Sequence, residues 1–263
     1  MASLYNRFLA VDAQSVDVVL VSPRNPLNIG AVARAMANFG FERLTVVAPY
    51  APHWREARSA IGAPGLLQNA KEAATLAEAV AGCTLVIGTG TLTYRKPEQS
   101  VVPLPATAPL VVAELGRGGH VALVFGPEKH GLTREDLSWC HFLVEIPTDA
   151  RQPSMNLGHA VAVCLYELAS RAFSVQGVAM AETLVEAKEQ APAALSGRLD
   201  LLAGVIEETM AAAHYSPDSM HAANRYDLRL LLRRLAPTER DTRRILGLFR
   251  RIVWRLHQNG ERK

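Results

Sequence analysis

Residues 16–48 read VDVVLVSPRNPLNIGAVARAMANFGFERLTVVA, and the order of patterns inside them decides the fold class. Val16–Val21 is a short, near-continuous run of β-branched and aliphatic residues, which reads as a strand covered on both faces. Ile29–Phe39 places apolar residues at helical spacing. Leu44–Ala48 is a second apolar run. Strand, helix, strand is the repeating unit of a parallel sheet. The pattern continues outward. Thr84–Gly88 (TLVIG), His120–Phe125 (HVALVF) and Phe142–Ile146 (FLVEI) read as further strands. Ala73–Val80 reads as a short helix and Asn156–Arg171 as a longer one. Residues 1–172 are therefore expected to form an α/β domain, a mostly parallel sheet with helices on both faces.

Beyond Arg171 the strand signal stops. Residues 173–196, rich in Ala, Glu and Ser, read as a linker. Leu199–Ala213, Tyr226–Leu235 and a segment starting at Thr238 carry helical spacing. In the last of these, Ile245, Leu248, Phe249, Ile252, Val253 and Leu256 are expected to line one face. Residues 197–263 thus read as a small all-α module. Its charge sets it apart: 222–263 carry a net +8, while the rest of the chain carries −5. A mildly acidic body with a basic tail calls for a polyanionic partner at the tail, or else a merely solvated, arginine-rich face.

Composition excludes several classes. With 263 residues, 49% hydrophobic and 20% charged, the chain is neither disordered throughout nor fibrous. No apolar run approaches the roughly 18 residues of a membrane span, and Met1–Ala13 lacks the apolar core of a signal peptide. A cytoplasmic protein without membrane association is expected. Cys83, Cys140 and Cys164 have no metal-ligand spacing and the eight His form no cluster, so no metal is expected.

Four segments could carry chemistry, each directly after a strand. The first is Asn28-Ile-Gly30-Ala-Val-Ala-Arg34, followed by Phe39-Gly40. Gly30 reads as lying near a helix N-terminus, where backbone N–H groups favour an anion, with Arg34 deeper in the helix. Plain readings are a packing glycine and a surface arginine. The second is Phe125-Gly126-Pro-Glu128-Lys-His-Gly131-Leu132, a loop at the carboxyl edge where open α/β sheets bind ligands. The third is Ile146-Pro, then Ser154-Met155-Asn156 before a helix, with Ser154 a natural N-cap. The fourth is Gly88-Thr89-Gly90-Thr91. There is no G-x-G-x-x-G, which counts against a nicotinamide-dependent oxidoreductase.

In combination, N-x-G-x-x-x-R with F-G, then F-G-x-E-x-x-G-L, then I-P with S-x-N, resembles the three motifs of the SpoU/TrmH branch of the SPOUT methyltransferases, in order and spacing. The arginine-rich tail resembles the extension of the tRNA ribose methyltransferases of that branch. The resemblance implies a trefoil knot in the α/β domain, a homodimer, S-adenosylmethionine as cofactor, and methyl transfer to a ribose 2′-hydroxyl at position 32 of the tRNA anticodon loop. It assigns cofactor binding to Thr89, Gly90, Thr91, Gly126, Ile146, Ser154, Met155 and Asn156. It gives catalytic roles to Arg34 and Ser154, with Asn28 and Glu128 shaping the site. RNA contacts fall to Arg34, Arg95, Lys96, Arg243, Arg244, Arg250 and Arg251. Where the family usually reads T-S-x-R, this chain has Thr89-Gly90-Thr91-Leu92, so the loop's usual arginine is missing. The alternatives are the same chemistry on ribosomal RNA or another tRNA position, and a catalytically silent RNA-binding protein.

Overall fold

The computed structural model describes residues 13–90, 97–174 and 192–260. The opening unit is strand β1 (Val16–Val21), helix α1 (Pro26–Phe39) and strand β2 (Arg43–Val47). Helix α1 starts three residues before the expected Ile29. The Asn25 side chain accepts from the Leu27 N–H and Pro26 occupies the first turn, where its missing N–H costs nothing. Gly40 ends the helix in the left-handed region, at φ 77°. Gly30 consequently lies in the second turn, not at the helix N-terminus. A Cβ there would collide with Ser59 Oγ and lie 2.8 Å from the Ala60 nitrogen. Gly30 is a packing glycine, and the anion-cradle expectation for it is corrected.

Five further strands follow: β3 (Lys71–Ala73), β4 (Leu85–Thr89), β5 (Val101–Pro103), β6 (Val121–Phe125) and β7 (Phe142–Glu145). The seven form one sheet in the order β3-β2-β1-β6-β4-β7-β5, with every neighbouring pair parallel. The expected α/β class with a parallel sheet is what the structure has. The segment read as one helix over Ala73–Val80 is instead the end of β3 followed by helix α3 (Leu76–Val80), capped by the Thr75 hydroxyl. Helices α2 (Pro64–Asn69), α4 (Thr107–Gly116) and α5 (Arg134–Leu137) were not expected. Helix α6 (Leu157–Ser174) closes the domain.

Alternation along β1 shows how both faces are covered. Val18 and Leu20 join Ile29 and Met36 of α1 and Val161 and Leu165 of α6 in one core. Val19 and Val21 join Leu76 and Val80 of α3, Leu137 of α5 and Trp139 in the other. Each such fully buried aliphatic side chain stabilises by about 1.5–3 kcal/mol relative to exposure.

The extension is helices α7 (Ser196–Ala212), α8 (His221–Leu235) and α9 (Glu239–Gly260), centred on Leu202, Ala203, Leu232 and Leu246. Of the expected inward face of α9, Val253 is buried, whereas Leu248 is 59% exposed and Leu246 takes its place. Much of the linker read at 173–196 falls outside the described residues, but its last residues are firmly held. The Ala194 N–H donates to the Pro237 carbonyl at 2.9 Å, and Ser196 and Gly197 donate to the Cys83 and Ala81 carbonyls at 2.8 and 3.0 Å.

Two arginines of α8 pin the module to the sheet domain. Arg229 and Arg233 lie 4.3 and 4.9 Å from the centroid of the Trp139 ring. Arg233 Nε donates to the Trp139 carbonyl at 2.9 Å and Nη2 to Ser196 Oγ at 3.0 Å. Arg229 pairs with Glu135 of α5 and with Asp200 of α7. Burial pulls the Arg233 pKa down to about 10. Both arginines count towards the basic tail in the sequence, but neither belongs to a basic outer surface.

Candidate active site

The carboxyl ends of β4, β6 and β7 open onto a cavity of about 290 Å³. Three loops wall it, as expected where parallel strands end. The first is Thr89-Gly90. Thr89 is buried and its hydroxyl donates to the Val124 carbonyl at 3.0 Å, tying β4 to β6. A Cβ on Gly90 would meet nothing within 4 Å.

The second loop is Gly126–Gly131. It folds so tightly that a Cβ on Gly126 would collide with the backbone of Gly131 and Leu132. The Gly131 N–H donates to the Pro127 carbonyl at 2.9 Å, and Gly131 itself has φ 64°. Only glycine permits both the close approach and the left-handed turn.

The third loop runs from Ile146 to Asn156 between β7 and α6. Asp149 fixes it, accepting from the Arg151 N–H and guanidinium at 2.8–2.9 Å. Ser154 and Met155 face the cavity together with Ile146. Ser154 is not the cap of α6, as its sequence position suggested. Asn156 is: its Oδ1 accepts from the Gly158 N–H at 2.9 Å and the His159 N–H at 3.4 Å.

One hydrogen-bonded chain ties the three motifs together. Asn156 Nδ2 donates to Asn28 Oδ1 at 3.0 Å, and Asn28 Nδ2 donates to Glu128 Oε1 at 2.8 Å. The same carboxylate accepts the Arg24 and Asn25 N–H groups at 3.0 and 3.1 Å. Burial pushes the Glu128 pKa up, but the Asn28 amide and these backbone donors outweigh it and hold the carboxyl below its ordinary range. Residues a hundred or more positions apart thus fix α1, the second loop and the start of α6 against one another.

Six of the expected cofactor residues line the cavity: Thr89, Gly90, Gly126, Ile146, Ser154 and Met155. Asn156 stands one bond behind the wall. Thr91, Leu92, Arg95 and Lys96 lie outside the described residues. Arg34 is exposed on α1, two turns beyond Asn28, and among the described residues it has no ion pair. It is not part of the cavity wall. Arg243, Arg244, Arg250 and Arg251 are exposed on α9. Sequence reasoning missed Glu145 and the pair Lys129-His130, which also line the cavity. The pair sits at the unspecified positions of the second motif, so only its place in the loop could have marked it. Among the described residues, no group of three His, Cys, Asp or Glu could hold a metal, and no helix is long and apolar enough to cross a membrane.

Comparisons with known proteins agree with this geometry. A model of the SpoU rRNA methylase family matches residues 15–166. The chain is similar to the tRNA (cytidine/uridine/adenosine-2′-O-)-methyltransferase TrmJ of Pseudomonas aeruginosa, with 41% identity over 62% of this chain and 63% of that protein. It is also similar to the tRNA (cytidine/uridine-2′-O-)-methyltransferase TrmJ of Klebsiella pneumoniae, with 32% identity over 91% of this chain and 96% of that one. The crystal structure of TrmJ from Z. mobilis superposes with a TM-score of 0.75 at 28% identity, over 90% of this chain and 98% of that one. On the family match and the near full-length similarity, this chain belongs to the SpoU rRNA methylase family.

Proposed function

We propose that the chain transfers a methyl group from S-adenosylmethionine to a ribose 2′-hydroxyl of tRNA, at position 32 of the anticodon loop. The observation that carries this reading is the Asn156–Asn28–Glu128 chain, which gathers three separated motifs at one cavity. The substrate class follows from what the relatives are named for. The walls suit the cofactor. Ile146, Leu157 and Phe125 offer apolar surface for a flat ring, Glu128 and Glu145 offer carboxylates for a cation, and Gly90 leaves open space for close approach.

When bound, S-adenosylmethionine supplies a methyl group already activated by a sulfonium. The protein's task is to orient the 2′-oxygen and let its proton leave. Thr89, Gly90, Gly126, Ile146, Ser154 and Met155 would hold the cofactor, with Asn156 fixing the third wall. Arg34, exposed on the helix that Asn28 anchors, would grip the phosphate beside the target ribose. A guanidinium does not give up its proton readily enough to serve as a base, so Arg34 acts by electrostatic positioning while water or phosphate takes the hydroxyl proton. Ser154, exposed at the cavity, would touch the ribose.

The same reading includes a homodimer through the α1–α6 face, where Leu27, Val163 and Tyr166 are exposed at 56%, 36% and 57%. It includes a trefoil knot, for β6 and β7 both enter between strands laid down earlier in the chain. It divides the chain into a methyltransferase domain (1–172), a linker (173–196) and an RNA-binding extension (197–263), in the cytoplasm.

The test is methyl transfer from labelled S-adenosylmethionine to unmodified tRNA, with the modified nucleotide mapped. Arg34→Ala should bind the cofactor normally and turn over at least about 100-fold more slowly, with Arg34→Lys in between. Incorporation into ribosomal RNA but not tRNA would overturn the substrate, and an unimpaired Arg34→Ala enzyme would overturn the role of Arg34.

A further inference from the structure

The extension carries an exposed aromatic residue inside its basic stripe. Helix α9 turns Thr242, Leu246 and Val253 inward. Arg240, Arg244, Arg251 and Arg255 then fall along the opposite side at helical spacing, with Trp254 beside the last two. From Arg243 to Gly260 the helix has no Asp or Glu. Trp254 is 46% exposed, whereas the other two tryptophans, Trp54 and Trp139, are 0% and 6% exposed. The Trp54 indole is hydrogen-bonded to Glu72 and Trp139 is covered by Arg229 and Arg233. Among the described residues, Trp254 has no such cover from another element. Its neighbours are Arg251 and Arg255 of its own helix, 4.3 and 5.3 Å from the ring centroid.

We infer that Trp254, with Arg251 and Arg255, is a stacking platform for an unpaired base of RNA. The inference rests on the RNA reading above and adds a base contact to what would otherwise be phosphate contacts alone. A flat indole half open to water beside the stripe of Arg240, Arg244, Arg251 and Arg255 matches a ligand that alternates planar bases with phosphates. The two guanidiniums hold the ring in place, and a guanidinium lying over an indole is itself a plane on which a base can stack. Protein partners with acidic surfaces would satisfy the arginines but leave the indole without a use.

The burial of the other two tryptophans makes the test direct, because fluorescence quenching by an added polymer reports on Trp254. The full-length protein is titrated with single-stranded oligoadenylate and, separately, with inorganic polyphosphate of matched charge. Oligoadenylate should quench, polyphosphate should bind without comparable quenching, and Trp254→Phe should abolish the quenching. Trp254→Ala should weaken oligoadenylate binding by about 5- to 150-fold, while Trp254→Phe, which keeps a ring, weakens it less. Equal quenching by both polymers, or unchanged affinity in Trp254→Ala, would overturn the platform. Failure of the wild-type protein to methylate tRNA, with these titrations as expected, would overturn the proposed reaction and leave the platform standing.

Discussion

At the scale of single residues, the site depends on positions where a side chain must be missing or must be held. Gly126 is the sharpest case, because a methyl group there would occupy the space of the Gly131 and Leu132 backbone. Gly126→Ala should cost roughly 1–3 kcal/mol of stability and abolish S-adenosylmethionine binding, measurable by chemical unfolding and calorimetry. Glu128 gives a pH-dependent test. Its folded pKa is lowered, so its contribution is present above the ordinary carboxylate value and is lost as pH falls through the folded one. Glu128→Gln should therefore be less stable than wild type near neutrality, and the difference should shrink in acid. A constant gap across pH would show that the charge is not what matters. The sequence made the glycines and the carboxylate visible as motif letters. It did not reveal that Asn156, not Ser154, caps α6, because either could accept from those N–H groups. Nor did it reveal that Gly30 packs against Ser59 and Ala60, since that neighbour comes from a loop with no pattern of its own.

At the scale of elements, legibility followed length and apolar continuity. The five strands of four to six residues, β1, β2, β4, β6 and β7, were readable because burial on both faces demands unbroken runs. The edge strands β3 and β5 have three residues each and are partly exposed, so nothing in Lys71–Ala73 or Val101–Pro103 distinguishes them from loop. Helix α8 shows the opposite limit. Its arginines at 229 and 233 look like surface charge in sequence, and only the fold brings them onto Trp139. Their hydrogen bonds involve charged donors, each worth about 1.5–3 kcal/mol. Arg233→Ala should lower stability by about that amount and loosen α8 from the sheet domain. Limited proteolysis should then release the extension, while cofactor binding at the remote cavity stays intact. Equal protease resistance in the variant would show that the pins are dispensable.

At the scale of the whole molecule, the proposed homodimer would pair through the α1–α6 face. Tyr166 meets Phe39 edge-on at 6.0 Å yet stays largely exposed, and Val163 and Leu27 are exposed on the same two helices. Arg34 is exposed on α1 too, so on the proposed function pairing would also enclose the surroundings of the reacting ribose. Val163→Asp combined with Tyr166→Arg should yield a monomer by sedimentation and remove methyl transfer, whereas a monomeric wild-type protein would end the dimer reading.

The anchoring of the extension has a further consequence. Its pins lie beside Cys83 and Trp139, where β4 and β7 begin, while the cavity lies where they end. Five residues of strand, about 17 Å, separate the two ends. Within one chain the molecule is a calliper with fixed jaws. On the proposed function, a trimmed oligonucleotide bound at the mouth of the cavity would not reach the second jaw, and an RNA would gain from it only once long enough to bridge the gap. Affinity should therefore climb with substrate length in a step, not a slope.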